Sequence, residues 1–354
     1  MPNPSVSIII TNYNYADYVG DAIDSSLGQD WPDIEVVVID DGSTDNSWKV
    51  ISTYDDRITA IRQQNSGQLA STIKGCSLSR GRFIIFLDSD DRLAREAVRE
   101  VVNRFETDPG IVMVTYRLRL MDGVGNPLDA TAPPRRYALS QGDLAHRMLT
   151  YGPGNLIRPP TSGIAFRREA VAVAFERLDR QRHCPVVDDY LCAVVPLLGK
   201  VSAIQVPLGD YRVHGRNRSI CQPASLETLR RASRKCQTTA AAAHTFIVRS
   251  GLVAEQSRWV RPWHVALQFA ERKLAGAPSQ TTTRSLLRLY REGLGGSLFA
   301  PFDDLARRLT YMIWFTLTLL LPRRLARPLV ARLVLPGGYR SGVDDPAFGR
   351  SGND

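Results

Sequence analysis

Asp88-Ser89-Asp90-Asp91 sets three carboxylates within four residues. Carboxylates this close repel one another unless a cation or a positive ligand group sits among them. Hard oxygen donors with no Cys or His beside them point to Mg²⁺ or Mn²⁺, and a metal held in this way most often neutralises a diphosphate. A second reading stays open on these residues alone, in which Asp90 and Asp91 cap a helix starting near Leu93. Upstream, Asp40-Asp41-Gly42 follows another apolar run, and Tyr13 follows a third. An aromatic ring beside a carboxylate suits a nucleobase, which stacks on the ring and gives its imide N–H to the carboxylate. Here too a plain strand-to-helix turn remains open, more so for Asp40 than for Asp41.

The flanking elements must bring these groups together. Phe83–Leu87, Ser5–Ile10 and Ile34–Ile39 are short continuous apolar runs, the pattern of strands covered on both faces. A helical stretch from about Ala16 to Leu27 separates the first two runs in chain order. Strand, helix and strand with short connections predict a parallel βαβ unit with a right-handed crossover. Thr11, Tyr13, Asp41 and the Asp88–Asp91 cluster then share the carboxyl edge of the sheet, where open α/β sheets bind ligands. Gly42 permits a tight turn, and Asp45 is placed to cap the next helix.

Ser7–Asn14, Val38–Asp45 and Phe86–Asp91, each following a strand and in this order, resemble the family 2 glycosyltransferases. Asn65-Ser66-Gly67-Gln68 extends the likeness, which covers roughly the first 220 residues. It implies an α/β, GT-A, Rossmann-like nucleotide-sugar-binding domain. By the same likeness Thr11 and Tyr13 contact the base, Asp41 pairs with uracil, and Gln68 joins the donor site. Asp88 and Asp90 match the metal and ribose motif, with Asp90 the direct metal ligand and Asp88 toward sugar or ribose. Ile73 departs from the family pattern, which often has Asn there, and weakens polar donor contacts from that helix.

Val186–Leu191 resembles the acidic pair that supplies the base in inverting members, with Asp188 in place of the usual Glu and Asp189 as the base. One carboxylate near the acceptor hydroxyl suffices, because the leaving group is a metal-bound diphosphate. Helix capping by both Asp residues is the plainer alternative. Pro160–Arg168 reads as a small-residue loop feeding a strand under the acceptor. Leu208–Gly215 resembles a Tyr-Arg-x-His loop closing over the diphosphate, where a cation or imidazole stabilises departing charge. His214 is a candidate third metal ligand.

The chain has 354 residues, 44% of them hydrophobic, enough for a full core and about two domains. We divide it into a GT-A domain over 1–222 and a mainly helical, basic region over 223–354. Five Cys residues without CxxC spacing predict a reducing compartment, with Cys76 and Cys192 as small core residues. The first strand begins by Val6, which leaves no room for a signal peptide. Helical periodicity marks Leu226–Arg249, Val253–Lys273 and Thr283–Glu292. The apolar run Leu309–Leu321, between Arg pairs, is too short for an ordinary spanning helix. With the Arg-rich stretch Leu325–Leu335 it reads either as a helix lying in the bilayer interface or as a core helix capped by basic residues. The net charge of +9 suits anionic lipid or phosphate-bearing acceptors equally. Nucleic-acid binding is not expected, since no aromatic-interleaved basic face is present.

The sequence thus predicts an inverting, Mn²⁺- or Mg²⁺-dependent transferase that takes a nucleotide-sugar donor to a carbohydrate or lipid-linked acceptor. Gln256–Trp259 lacks the gap of the Gln-x-x-Arg-Trp motif of processive synthases, so transfer of a single sugar is expected. The predicted location is cytoplasmic, peripheral on the inner face of the membrane if the C-terminal run binds lipid. The alternatives are a binding scaffold that has lost its chemistry and a sugar-nucleotide pyrophosphorylase, although Ser5–Tyr15 lacks the Gly-rich basic loop the latter needs.

Overall fold

The computed structural model describes residues 5–152, 156–180, 186–215, 217, 226–253, 262–275, 280–299 and 305–334. They fall into two compact units. One comprises the described residues of Met1–Ala145 and Leu156–His214, the other those of His146–Asn155 and Gly215–Gly338. The expected boundary at 222 lies outside the described residues, as do Cys184, Cys221 and 254–261.

The first unit is built on one sheet. β1 (Val6–Asn12), β2 (Ile34–Asp40), β3 (Thr59–Arg62), β4 (Phe83–Asp88), β5 (Arg92–Leu93), β6 (Ile111–Met121), β7 (Pro127–Ala132), β8 (Ile164–Arg167) and β9 (Lys200–Arg212) join in the order β3-β2-β1-β4-β8-β6-β9-β5, with β7 on β6. The β3-β2-β1-β4 half is parallel. β1, β2 and β4 are largely apolar and buried, as befits strands inside a parallel sheet, whereas the edge strand β3 is partly exposed. Register positions the site: Thr11 lies opposite Ile39 on one side and Asp88 on the other, and Asn12 lies opposite Asp40. The polar ends of three strands therefore meet at one edge.

Two expectations shift here. Leu93 does not begin a helix, because Arg92 and Leu93 pair antiparallel with Asp210 and Gly209, and the helix starts at Ala97. Tyr211 and Arg212 are not loop residues, because β9 stays paired to β6 through Met121 and Arg212. β8 enters antiparallel between β4 and β6, carrying the small-residue segment Thr161–Gly163 to the ends of the parallel strands.

α1 (Val19–Leu27) and α2 (Ser47–Ser52) precede α3 (Gln68–Leu78), which packs closely on the sheet. A Cβ at Gly75 would lie 2.5 Å from Ile9 Cγ2. Gly75→Ala should therefore lower stability by about 1–2 kcal/mol, overpacking outweighing the better helix propensity of Ala. The midpoint of urea unfolding reads this, and an unchanged midpoint would mean that Ile9 repacks freely. α4 (Ala97–Glu106), α5 (Ala145–Tyr151), α6 (Arg168–Glu176) and α7 (Val187–Val194) follow in chain order.

The second unit contains α5 from His146 onward, α8 (Leu226–Arg249), α9 (Pro262–Ala275), α10 (Gln280–Phe299), α11 (Leu305–Leu320) and α12 (Arg323–Val334). Phe269, Trp314 and Phe315 form an aromatic cluster in its core. α10 continues past the expected end at Glu292 in spite of Gly293. A Cβ there would lie 2.3 Å from Phe315 Cζ, so the glycine serves as a seat for that ring. No helix of the described residues is long and apolar enough to cross a membrane.

Candidate active site

The base-side residues are braced by buried polar groups. Asp40 is fully buried and accepts from Asn12 Nδ2 at 3.0 Å, from the Ser43 amide at 3.3 Å and from the Ser43 hydroxyl. Asn14, at φ 59°, accepts the Thr44 amide at 2.7 Å and ties the β1 end to the β2 loop. Asp45 accepts the Ser47 amide at 2.9 Å, in the first turn of α2. Asp40 is therefore a brace, and Asp41 is the carboxylate facing the loop that leads to α3. Asp41 accepts from Gln63 Nε2 at 2.8 Å and from the Ser66 and Gly67 amides at 2.9 and 2.8 Å. Three of the carboxylate's about four acceptor positions are thus taken, and Asp41 is 5% exposed. Gly42, at φ 75°, is required here, because a Cβ would lie 2.8 Å from the Asn65 amide nitrogen. Tyr13, one residue past the end of β1, is 38% exposed.

Within the acidic motif the three carboxylates differ. Asp91 is fully buried, takes the Ser162 hydroxyl at 2.6 Å and the Arg212 amide at 2.9 Å, and so joins β4 to β8 and β9. Burial, with Asp90 and Asp88 alongside, pushes its carboxyl well above the usual carboxylate range. Ser162 also accepts the Asp88 amide at 3.1 Å. Ser162→Ala leaves the Asp91 carboxylate short of a donor and should cost about 2–3 kcal/mol in chemical unfolding. A loss under about 0.5 kcal/mol would show that water replaces the hydroxyl.

Asp90 and His214 meet directly, Oδ2 to Nε2 at 2.9 Å. The imidazole stacks on Tyr18 at 4.9 Å and meets Tyr15 edge-on at 5.6 Å, which fixes the ring plane. The contact is a direct hydrogen bond, and its length is also the spacing of about 3.0 Å that two cis ligands each about 2.1 Å from an octahedral cation would have. The expected trio of Asp88, Asp90 and His214 is not assembled: among the described residues no three His, Cys, Asp or Glu side chains gather as a metal cluster. Asp88 instead lines a cavity at the strand ends. Arg212 does not face that cavity either. Its buried guanidinium bonds Asp21 at 2.6 Å, Asp90 O at 2.8 Å and Gly123 O at 3.2 Å, and lies over the Tyr18 ring.

The cavity is lined by Thr11, Gln68, Thr72, Asp88, Thr161 and Asp188, over an apolar floor that includes Ile9 and Phe86. It joins residues expected at the donor to one of the acidic pair. Asp188 and Asp189 occupy the first turn of α7, and Arg158 reaches both: Nη2 lies 3.2 Å from Asp188 Oδ2 and bonds Asp189 Oδ1. Gln68 and Thr72, not residue 73, are the polar groups that α3 adds to the cavity.

Residues 7–172 match the family described as Glycosyl transferase family 2. An uncharacterized glycosyltransferase of Nostoc sp. is 35% identical over 253 residues, 70% of this chain and 76% of that protein. The chain belongs to glycosyl transferase family 2. It is also similar to the UDP-Glc:alpha-D-GlcNAc-diphosphoundecaprenol beta-1,3-glucosyltransferase WfaP of Escherichia coli, 37% identical over 106 residues, 29% of this chain and 42% of that one. A solved structure of Staphylococcus aureus TarS 1–349 in complex with UDP-GlcNAc covers 98% of this chain and 92% of that chain, at 17% identity and a TM-score of 0.47.

The family match runs through β1 to β8 of the first unit. Several residues of this family 2 site carry no local signal in the sequence. Arg158 stands outside any motif, and Asp21 lies in the first turn of an ordinary amphipathic helix. Ser162 belongs to the loop read as small residues, but its link to Asp91 crosses 71 positions of chain.

Proposed function

We propose that this chain is an inverting, non-processive, metal-dependent glycosyltransferase that moves one sugar from a nucleotide sugar to an acceptor hydroxyl. The observation that carries the reading is one cavity lined by Thr11, Gln68, Asp88 and Asp188 together. Thr11, Tyr13 and Asp41 seat the base, Asp41 through its remaining acceptor position. Asp88 and Gln68 take the ribose and sugar. Asp90 and His214 hold Mn²⁺ or Mg²⁺, which when bound supplies charge neutralisation to the diphosphate. Asp189, aimed by Arg158, takes the proton of the acceptor hydroxyl. Attack from the face opposite the diphosphate inverts the anomeric carbon.

UDP-linked sugars come first as donors, since the base-side carboxylate suits uracil and the WfaP relative carries UDP-Glc in its name. A carbohydrate or lipid-linked acceptor in surface polysaccharide or glycolipid assembly is the matching class. Cys76 and Cys192 carry no disulfide, and burial pushes both thiols up to about 12.

The test is thermal stability across nucleotide sugars with and without Mn²⁺. A donor at a hundredfold excess over Kd adds about 2.7 kcal/mol. The expected result is one donor whose stabilisation requires the metal and disappears in Asp90→Ala. No stabilisation by any nucleotide sugar would overturn the reading. Stabilisation without transfer would make the chain a binding scaffold.

A further inference from the structure

α11 splits the apolar run into two faces. Tyr311, Trp314, Phe315 and Thr318 are buried in the helical core. Leu309, Ile313, Leu317 and Leu320 are 47%, 57%, 41% and 74% exposed, at spacings of four, four and three, so they form one stripe along the helix. Leu305 extends the stripe at one end, and exposed Leu325 stands beyond the other, at the start of α12. Contiguous exposed apolar surface of this kind marks an interaction site.

The charge around the stripe identifies its occupant. Positions 305–334 contain six Arg and no Asp, Glu or Lys. Arg324 and Arg327 are exposed on either side of Leu325. A second copy docked with its α11 parallel would set these arginines against their equivalents, an unfavourable arrangement of like charges, and an antiparallel copy is an outcome of the test below. A nucleic acid would satisfy the arginines but gain nothing from a Leu and Ile stripe. An anionic bilayer surface satisfies both, with aliphatic side chains entering the acyl boundary and guanidinium groups at the headgroups.

We propose that the α11 stripe, with the arginines of α12, is a docking surface for an anionic lipid bilayer and lies in its plane. α11 rests on the interface by its outer face while its inner face stays in the protein core. The inference is independent of the donor-site reading, since it concerns a different unit and is read by binding rather than by transfer.

The test is flotation of the full chain with vesicles of phosphatidylcholine alone, or with about one-third phosphatidylglycerol. The chain should bind the anionic vesicles at least about tenfold better than the neutral ones. Ile313→Gln with Leu317→Gln should reduce that binding about tenfold with unchanged circular dichroism, because both positions face outward. Arg324→Gln with Arg327→Gln should remove most of the preference for anionic lipid. Failure to float with either vesicle overturns the proposal, as does equal flotation of the Gln pair. Self-association in sedimentation that the Gln pair abolishes, with no lipid binding, would assign the stripe to a second copy and also overturn it.

Discussion

Asp189→Asn is expected to cut sugar transfer by about 10²–10⁴-fold, the usual contribution of a positioned general base, with donor affinity little changed. The amide keeps the shape of the carboxylate but cannot take the acceptor proton. Arg158 should stay in place, since Asp188 Oδ2 lies 3.2 Å from it and still holds it. The informative comparison is Asp188→Asn, because Asp188 and not Asp189 lines the cavity beside Asp88 and Thr11. If that substitution removes transfer and Asp189→Asn spares it, the base is Asp188 and Asp189 serves to hold Arg158. Single-turnover rates at saturating donor separate the two, since a loss confined to donor binding would appear in KM instead.

Arg212→Met should destabilise the first unit by about 3 kcal/mol, the largest stability effect expected from one side chain near the site. Met keeps most of the packing, so the loss isolates the polar contacts. Those contacts are Asp21 at 2.6 Å, the carbonyls of Asp90 and Gly123 at 2.8 and 3.2 Å, and the face of the Tyr18 ring. Asp21 keeps Arg92 as a second partner, which limits the damage on that side, whereas the two carbonyls lose a charged donor. Arg212→Lys should recover little, because the three donors of an ammonium diverge from one nitrogen and cannot span acceptors that Nε, Nη1 and Nη2 reach separately. A urea-unfolding loss below about 1 kcal/mol for Arg212→Met would mean that the guanidinium is replaceable by water.

Much of the first unit was legible in the sequence. The β1, β2 and β4 runs are short, apolar and ended by polar or Gly-containing turns, so their identity and shared edge follow from local pattern alone. What pattern could not supply was pairing between distant segments. Nothing local says that β8 inserts between β4 and β6, or that β9 carries Tyr211 and Arg212 in ladder register beside β6. α10 shows the same limit from the other side. Helix propensity argues for a stop at Gly293, and a ring packed from another helix decides otherwise.

The sequence by itself determined the family, the α/β class of the first unit, the helical character of the second, and the carboxylates at the strand ends. These rest on runs of adjacent residues, where covalent spacing alone fixes which side chains share an edge or a face. Only the tertiary structure decided which of those carboxylates are spent. Asp40 and Asp91 are consumed in bracing, Asp41 has three acceptor positions taken, Asp90 meets His214 across 124 positions of chain, and Asp189 meets Arg158 across 31. The outer stripe of α11 was likewise invisible in an apolar run that reads the same on every side. The reason is common to all of them: burial and pairing are set by which distant segments fold against a residue, and a carboxylate or a leucine looks the same in the chain whether that partner arrives or not.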